Sequence, residues 1–249
     1  MTRYGLIGFP LTHSFSQRYF TDKFVREGIT DCQYELFELP DVAALPELLQ
    51  TPGLRGLNVT IPHKQAVLPY LDRLDTSAGK IGAVNVIRIE TDGSRTGYNS
   101  DYYGFRQSLE DWLRVLGRTT GDLRALVLGT GGASKAVTAA LSDMVIPYRS
   151  VSRSKTADTL TYHDLPKLIG EYPLIINCSP VGTYPHTDEA PALPYDQLTD
   201  RHLLYDLVYN PAQTLFMKRG HERGAATHNG LRMLELQAEK AWDIWQGVS

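Results

Sequence analysis

Residues 124–142 read RALVLGTGGASKAVTAALS: an apolar run, three glycines within four positions, then a helix-forming stretch. The run lacks polar alternation, as expected of a short strand covered on both faces. Gly129, Gly131 and Gly132 permit a tight turn and let a ligand approach the backbone with no side chain in the way. The N-terminus of the next helix offers N–H groups and partial positive charge to a phosphate. Strand, glycine turn and helix in that order predict a doubly wound α/β domain with a dinucleotide site at Gly129, Thr130, Gly131, Gly132, Ala133 and Ser134. The match to G-x-G-x-x-G is incomplete, because Ser134 stands at the third glycine. Taken alone, the turn also fits an α/β protein whose glycines are only structural.

The end of the next strand bears on which dinucleotide fits. An NAD site usually places Asp or Glu about 20 residues past the first glycine, on the ribose 2′-hydroxyl. Residues 148–155 read YRSVSRSK, with no acid before Asp158. A 2′-phosphate suits Arg153 and Lys155, with Ser152 and Ser154 as hydroxyl donors. The expectation is therefore NADP, against the plainer reading of a solvated basic loop.

The rest of the chain supports a second α/β segment ahead of this one. Residues 4–9 (YGLIGF) form a buried strand stopped at Pro10, residues 16–28 a helix ending at Gly28, and residues 33–39 (QYELFEL) a half-buried strand. Residues 42–50 read as a helix and residues 56–61 (GLNVTI) as a strand stopped by Pro62. Residues 83–90 and 93–98 form a hairpin at Asp92-Gly93. After an apolar-striped helix over 104–116, strands at 124–128, 148–152, 174–177 and 203–207 give a βαβ rhythm. The last helix, 231–245, could pack on either half. At 249 residues the chain can hold two modest cores. With 42% hydrophobic and 21% charged residues it reads as globular. A net charge of −3 leaves no basic excess for nucleic acid or lipid. Two cysteines make no disulfide framework or metal-type pair, and no apolar stretch nears the roughly 20 residues of a membrane span. Without a signal-peptide pattern, the expected location is the cytoplasm.

Three polar clusters lie at the ends of expected strands: His13, Ser14 and Ser16; Asn58, Thr60, His63 and Lys64; and Asn85 with Asn99, Ser100 and Asp101. Asn58 and Thr60 alternate with Leu57, Val59 and Ile61, which puts the polar pair on one strand face and the apolar residues on the other. Each cluster alone has a plain explanation: Ser14, Ser16 and Asp101 as helix caps, Lys64 as a surface lysine.

Together with the glycine turn, these clusters resemble the shikimate dehydrogenases. The resemblance runs through GFPLTHSFS (8–16), GLNVTIPHK (56–64), GAVNVI (82–87), GYNSDYYGF (97–105), LGTGGASKA (128–136), NCSPVG (177–182), YDLVYNPAQTLF (205–216) and NGLRMLELQA (229–238). It implies two domains facing each other across a cleft. One is a substrate-binding and catalytic domain of residues 1–101 plus 231–249 with a mixed sheet. The other is a Rossmann-like NADP-binding domain of residues 102–230. The implied reaction is reversible NADPH-dependent reduction of 3-dehydroshikimate to shikimate, in chorismate and aromatic amino acid biosynthesis. It further implies that Lys64 and Asp101 flank the reacting hydroxyl, with Lys64 the principal acid/base and Asp101 tuning it. Ser14 and Ser16 bind the substrate carboxylate. Asn58, Thr60, Asn85, Tyr209 and Gln237 lie around the ring, and Leu207 and Gly230 stand near the nicotinamide. The partners are small molecules, and the protein is a monomer or homodimer.

The chain departs from the family pattern at Gln17, in place of a proline, at Tyr102, in place of a glycine, and at Ser152, in place of an asparagine. A relative acting on quinate or an aminated analogue has the same outline, and so does a non-catalytic sensor that kept the fold. The presence of both Lys64 and Asp101 argues against the sensor.

Overall fold

A computed structural model describes residues 1–11 and 14–248. The chain divides into two compact units, Met1–Tyr103 with Glu235–Ser249, and Gly104–Leu234.

The first unit is built on β1 (Thr2–Gly8), α1 (Phe15–Glu27), β2 (Cys32–Glu38), the one-turn helix α2 (Leu45–Leu48), β3 (Leu54–Val59), β4 (Arg73–Leu74), α3 (Thr76–Ile81), β5 (Val86–Ile89) and β6 (Arg95–Tyr98). The strands form one sheet in the order β2-β1-β3-β5-β6-β4. β1 runs parallel to β2 and β3, whereas β5 is antiparallel to both β3 and β6, so the sheet is mixed. Strand periodicity sorts its side chains. Tyr4 and Leu6 enter a core with Phe20 and Phe24 of α1, whereas Ile7, Leu57 and Val59 enter a core on the other face with Leu45 and Val67.

The helix α4 (Ser100–Val115) starts in the first unit and ends in the second, which goes on with β7 (Ala125–Leu128), α5 (Gly132–Asp143), β8 (Tyr148–Ser152), β9 (Thr159–Thr161), β10 (Leu174–Asn177), β11 (Leu203–Asp206), α6 (Leu215–His221) and β12 (Ala226–His228). All strand pairs are parallel, and the order β12-β11-β10-β7-β8-β9 is that of a doubly wound dinucleotide fold. Its core gathers Leu126, Leu128, Val151, Ile175, Leu204 and Phe216.

The last helix, α7 (Leu231–Gln246), settles the choice that its sequence left open. Ala238, Ala241, Ile244 and Trp245 join the core of Tyr4, Phe20 and Phe24 in the first unit. Trp245 stacks on Tyr4 with ring centroids 4.7 Å apart, and its indole N–H donates to the Ile87 carbonyl at 3.1 Å.

Several expectations need correction. The helix expected over 42–50 is a 3-10 turn, Val42–Ala44, followed by a single α turn. Pro46 has no N–H to bond back to the Val42 carbonyl, and Leu45 N–H takes that acceptor in the tighter 3-10 manner. β3 ends at Val59, not Ile61. Pro62 cannot continue the ladder, the chain turns with His63 N bonded to Thr60 O at 2.9 Å, and Ile61 is exposed instead of facing the core. The helix expected from residue 104 begins at Ser100 and takes in Asp101. Ser14 caps α1 by accepting from Gln17 N at 3.1 Å, whereas Ser16 lies inside the helix and caps nothing. Both cysteines are free thiols. Among the described residues no helix is long and apolar enough to cross a membrane, and no group of His, Cys, Asp and Glu is arranged to hold a metal ion.

Candidate active site

In the first unit the topology brings the polar clusters to one end of the sheet. β3 ends there, and β5, being antiparallel to it, begins there, with Asn58 paired to Val86. β6 returns to the same end, with Tyr98 opposite Val86, and hands the chain to α4 through Asn99. The loop after β3 then carries Lys64 to Asp101. The Lys64 ammonium lies 2.6 Å from Asp101 Oδ2, with the two side chains 20% and 9% exposed. The loop is fastened on both sides of the lysine. Lys64 O accepts from Val84 N at 2.8 Å, and the buried His63 ring lies 2.6 Å from Leu39 O.

Asn85 is the hub beside this pair. Its Oδ1 accepts from Ser100 N at 2.7 Å. Its Nδ2 lies 3.1 Å from Ser100 Oγ and 3.2 Å from Oε1 of Gln237 on α7. Asn85 O also accepts from Val59 N, and more distantly from Asn58 Nδ2 at 3.4 Å. Asn99 braces the helix start, donating to Ala83 O and accepting from Tyr102 N. Lys64 with Asp101, and Asn58 with Asn85 and Gln237, are thus in contact, although up to 152 residues separate them in sequence. Thr60 reaches the same strand end, its N–H bonded to Ile7 O. Ser14 and Ser16 stand at the start of α1, and His13 lies outside the described residues. No buried side-chain nitrogen or oxygen among the described residues lacks a hydrogen-bond partner.

One member escaped the sequence reading. Tyr34, read only as an alternating strand residue, is buried in β2 and donates its hydroxyl to Asn58 Oδ1 at 2.7 Å. Burial raises its pKa far above the ordinary tyrosine value, while the Ser16 side chain, in hydrogen-bond reach, pulls the other way.

The second unit holds the glycine turn. Gly129 follows β7 with φ +103°, a left-handed conformation that favours glycine. A β-carbon at Gly131 or Gly132 would meet nothing within 4 Å, and Gly131 caps α5 without any side-chain hydrogen bond. The two glycines therefore set no side chain over the start of a twelve-residue helix, whose first turn leaves N–H groups without intrahelical partners. That is what a pyrophosphate requires, and the turn sits where the strand order reverses, between β7 and β10. Ser134, at the missing third glycine, bonds its hydroxyl back to Gly131 O at 2.6 Å, so it tightens the turn from within. β8 lies beside β7 in parallel and ends in the exposed Arg153, Ser154 and Lys155, with Ser152 Oγ accepting from Ser154 N. Gly230 lies against Leu207 so tightly that a β-carbon there would fall 2.1 Å from Leu207 O. Tyr209, half-buried in the same unit, has its pKa raised by burial.

Comparison with known proteins decides the family. A model of the shikimate dehydrogenase substrate binding domain matches residues 6–87. A shikimate dehydrogenase (NADP(+)) from Methanococcus maripaludis is 34% identical, the match covering 98% of this chain and 91% of the relative. The chain belongs to the shikimate dehydrogenase family. The crystal structure of a chorismate mutase/shikimate 5-dehydrogenase fusion protein from Clostridium acetobutylicum matches with TM-score 0.87 and 35% identity, over 100% of this chain and 92% of that one. The shikimate 5-dehydrogenase of Thermus thermophilus, solved in complex with NADP(H) and shikimate, matches with TM-score 0.84 and 29% identity, over 99% and 94% of the two chains. Two-domain Rossmann-like architecture is therefore common to this chain and its shikimate dehydrogenase relatives.

Proposed function

We propose that this chain is an NADP-dependent shikimate dehydrogenase, reversibly reducing 3-dehydroshikimate to shikimate on the route to chorismate and the aromatic amino acids. The observation that carries the reading is the Lys64–Asp101 pair, 2.6 Å apart and set among the neutral hydrogen-bonding groups of Asn58, Asn85 and Gln237. A ring bearing three hydroxyls and one carboxylate needs that mixture of neutral donors and acceptors with one ionisable pair at the reacting carbon. The first unit supplies the reacting pair and, Tyr209 apart, the substrate-binding groups, and the second supplies the NADP site.

When bound, the nicotinamide accepts a hydride from the alcohol carbon or returns one to the ketone. The chain's own part is the proton. In the oxidising direction the hydroxyl O–H bond breaks as the C–H bond gives up its hydride, and the proton passes to Lys64, which takes it as the free amine and becomes the ammonium. In reduction Lys64 returns the proton to the oxygen as negative charge builds on it, so the oxygen never carries a full charge unaided. Asp101 holds the lysine in place. Ser14 and Ser16 take the carboxylate, and Asn58, Thr60, Asn85, Tyr209 and Gln237 take the hydroxyls and the remaining carboxylate contacts. In the second unit the bare helix start at Gly131 and Gly132 suits the pyrophosphate, Arg153 and Lys155 suit a 2′-phosphate, and Leu207 and Gly230 form an apolar wall for the nicotinamide.

The test is absorbance at the reduced-nicotinamide band with purified protein. Rapid reduction is expected with shikimate and NADP, and little with quinate or with NAD. Turnover of quinate in preference to shikimate, or no turnover of either by folded protein, would overturn the reading.

A further inference from the structure

Resting on the substrate site just described, we propose that Tyr34 is a positioning residue for shikimate: its hydroxyl, together with the Asn85 carbonyl, fixes which way the Asn58 carboxamide points. An asparagine side chain has one accepting oxygen and two donating hydrogens on nitrogen, and turning it over exchanges what it offers a ligand. At Asn58 the oxygen is committed to Tyr34 at 2.7 Å, and the nitrogen faces Asn85 O at 3.4 Å. The second amide hydrogen remains for a ring hydroxyl. Turned over, the same group would set its oxygen against the Asn85 carbonyl, acceptor facing acceptor, and the tyrosine hydroxyl would have to change from donor to acceptor. The tyrosine is well suited to impose the choice. It is clamped in a stack with Phe20, ring centroids 4.7 Å apart and planes at 15°, with Trp245 at 6.3 Å on the helix that also carries Gln237. Burial holds its hydroxyl protonated, so it stays a donor to Asn58 throughout the working pH range.

Tyr34→Phe removes only the oxygen and keeps the ring in its stack. The measurement is steady-state kinetics of wild type, Tyr34→Phe, Asn58→Ala and the double variant, with thermal melting alongside. KM for shikimate should rise roughly tenfold in Tyr34→Phe, the scale of one buried hydrogen bond. kcat should stay within about twofold, and KM for NADP should not change, since the hydroxyl acts on binding geometry and not on the proton. The double variant should lose no more kcat/KM than Asn58→Ala alone, because the tyrosine acts through the asparagine. An unchanged shikimate KM, additive losses in the double variant, or a Tyr34→Phe protein that no longer folds would each overturn the proposal and leave Tyr34 a packing residue. Failure of the wild type to turn over shikimate would instead sink the functional reading, and the role of Tyr34 with it.

Discussion

Lys64→Ala takes an ammonium away from a carboxylate that is only 9% exposed, and with it the proton carrier at the reacting oxygen. kcat should fall by ~10²–10⁴-fold, while KM for shikimate moves much less, because the lost interaction belongs to the transition state. Full turnover in that variant would remove Lys64 from the chemistry. Asp206 offers a residue-scale test of stability instead. It is fully buried at the end of β11 and accepts from Thr214 Oγ at 2.6 Å, Asn177 Nδ2 at 2.9 Å and Val208 N at 3.1 Å. Desolvation outweighs those three bonds and lifts its carboxyl from 3.8 to about 6. For an acid with a raised folded-state pKa, the unfolded chain releases its proton first. The contribution is fully present below about pH 4 and is lost as pH rises through 6. The loss amounts to roughly 3 kcal/mol, at about 1.4 kcal/mol for each pH unit between the two titrations. In urea unfolding, wild-type stability measured against Asp206→Asn should therefore decline by that order between pH 4 and 7. A difference that stays flat would mean the carboxylate titrates normally inside the fold. Residues of this kind mark the limit of sequence reading. Lys64 and Asp101 stood out as charges at strand ends, but their contact spans 37 positions and needs the fold. Tyr34 gave no polar signal, because a tyrosine in an alternating strand looks like any half-buried aromatic.

Gly56 in β3 shows how one element sets the fit of another. A β-carbon there would lie 2.2 Å from Nε1 of Trp245, an indole pinned by its bond to Ile87 O and its stack on Tyr4. Gly56→Ala should cost about 1–3 kcal/mol as overpacking, read as a lowered midpoint in chemical denaturation. Trp245→Leu in the same chain should recover part of the loss that Gly56→Ala causes, since it removes the clashing ring. Equal losses in both backgrounds would show that the glycine is needed for its backbone and not for the indole. At this scale apolar and periodic runs were legible: β1, β2 and the wholly apolar start of β10, α1 up to its left-handed Gly28, and the hairpin at Asp92-Gly93, where Gly93 has φ +83°. The elements that sequence reading missed are short. β4 has two residues, β12 three and α3 six, too few for any period to show, and each is held by neighbours far along the chain. The landing place of α7 was equally hidden, since an amphipathic stripe says that a helix packs but not against what.

Over the whole molecule, net charge is −3, yet Arg149, Arg153 and Lys155 fall within seven residues that carry no acid. A chain that repels anions on average thus presents a local positive field at the end of β8, beside the open glycine turn. NAD and NADP share the pyrophosphate that the turn would hold and differ by the 2′-phosphate alone, so the basic segment should act on their difference. Arg153→Ala should raise KM for NADP by roughly ten- to a hundredfold, the scale of a hydrogen bond to a charged group, and leave weak NAD use unchanged. Added salt should erode the preference for NADP in the wild type and do so less in the variant, because exposed charges are screened within about 8 Å at physiological ionic strength. Thermal shift separates this from damage elsewhere. A ligand raises the melting temperature according to its concentration over its dissociation constant, so the NADP shift should shrink in Arg153→Ala while a shift produced by shikimate stays the same. The two units have separate cores, and the substitution lies in the second alone. Equal losses with NADP and NAD, or a loss of both the NADP and the shikimate shift, would mean that Arg153 supports the fold of its loop and does not read the phosphate.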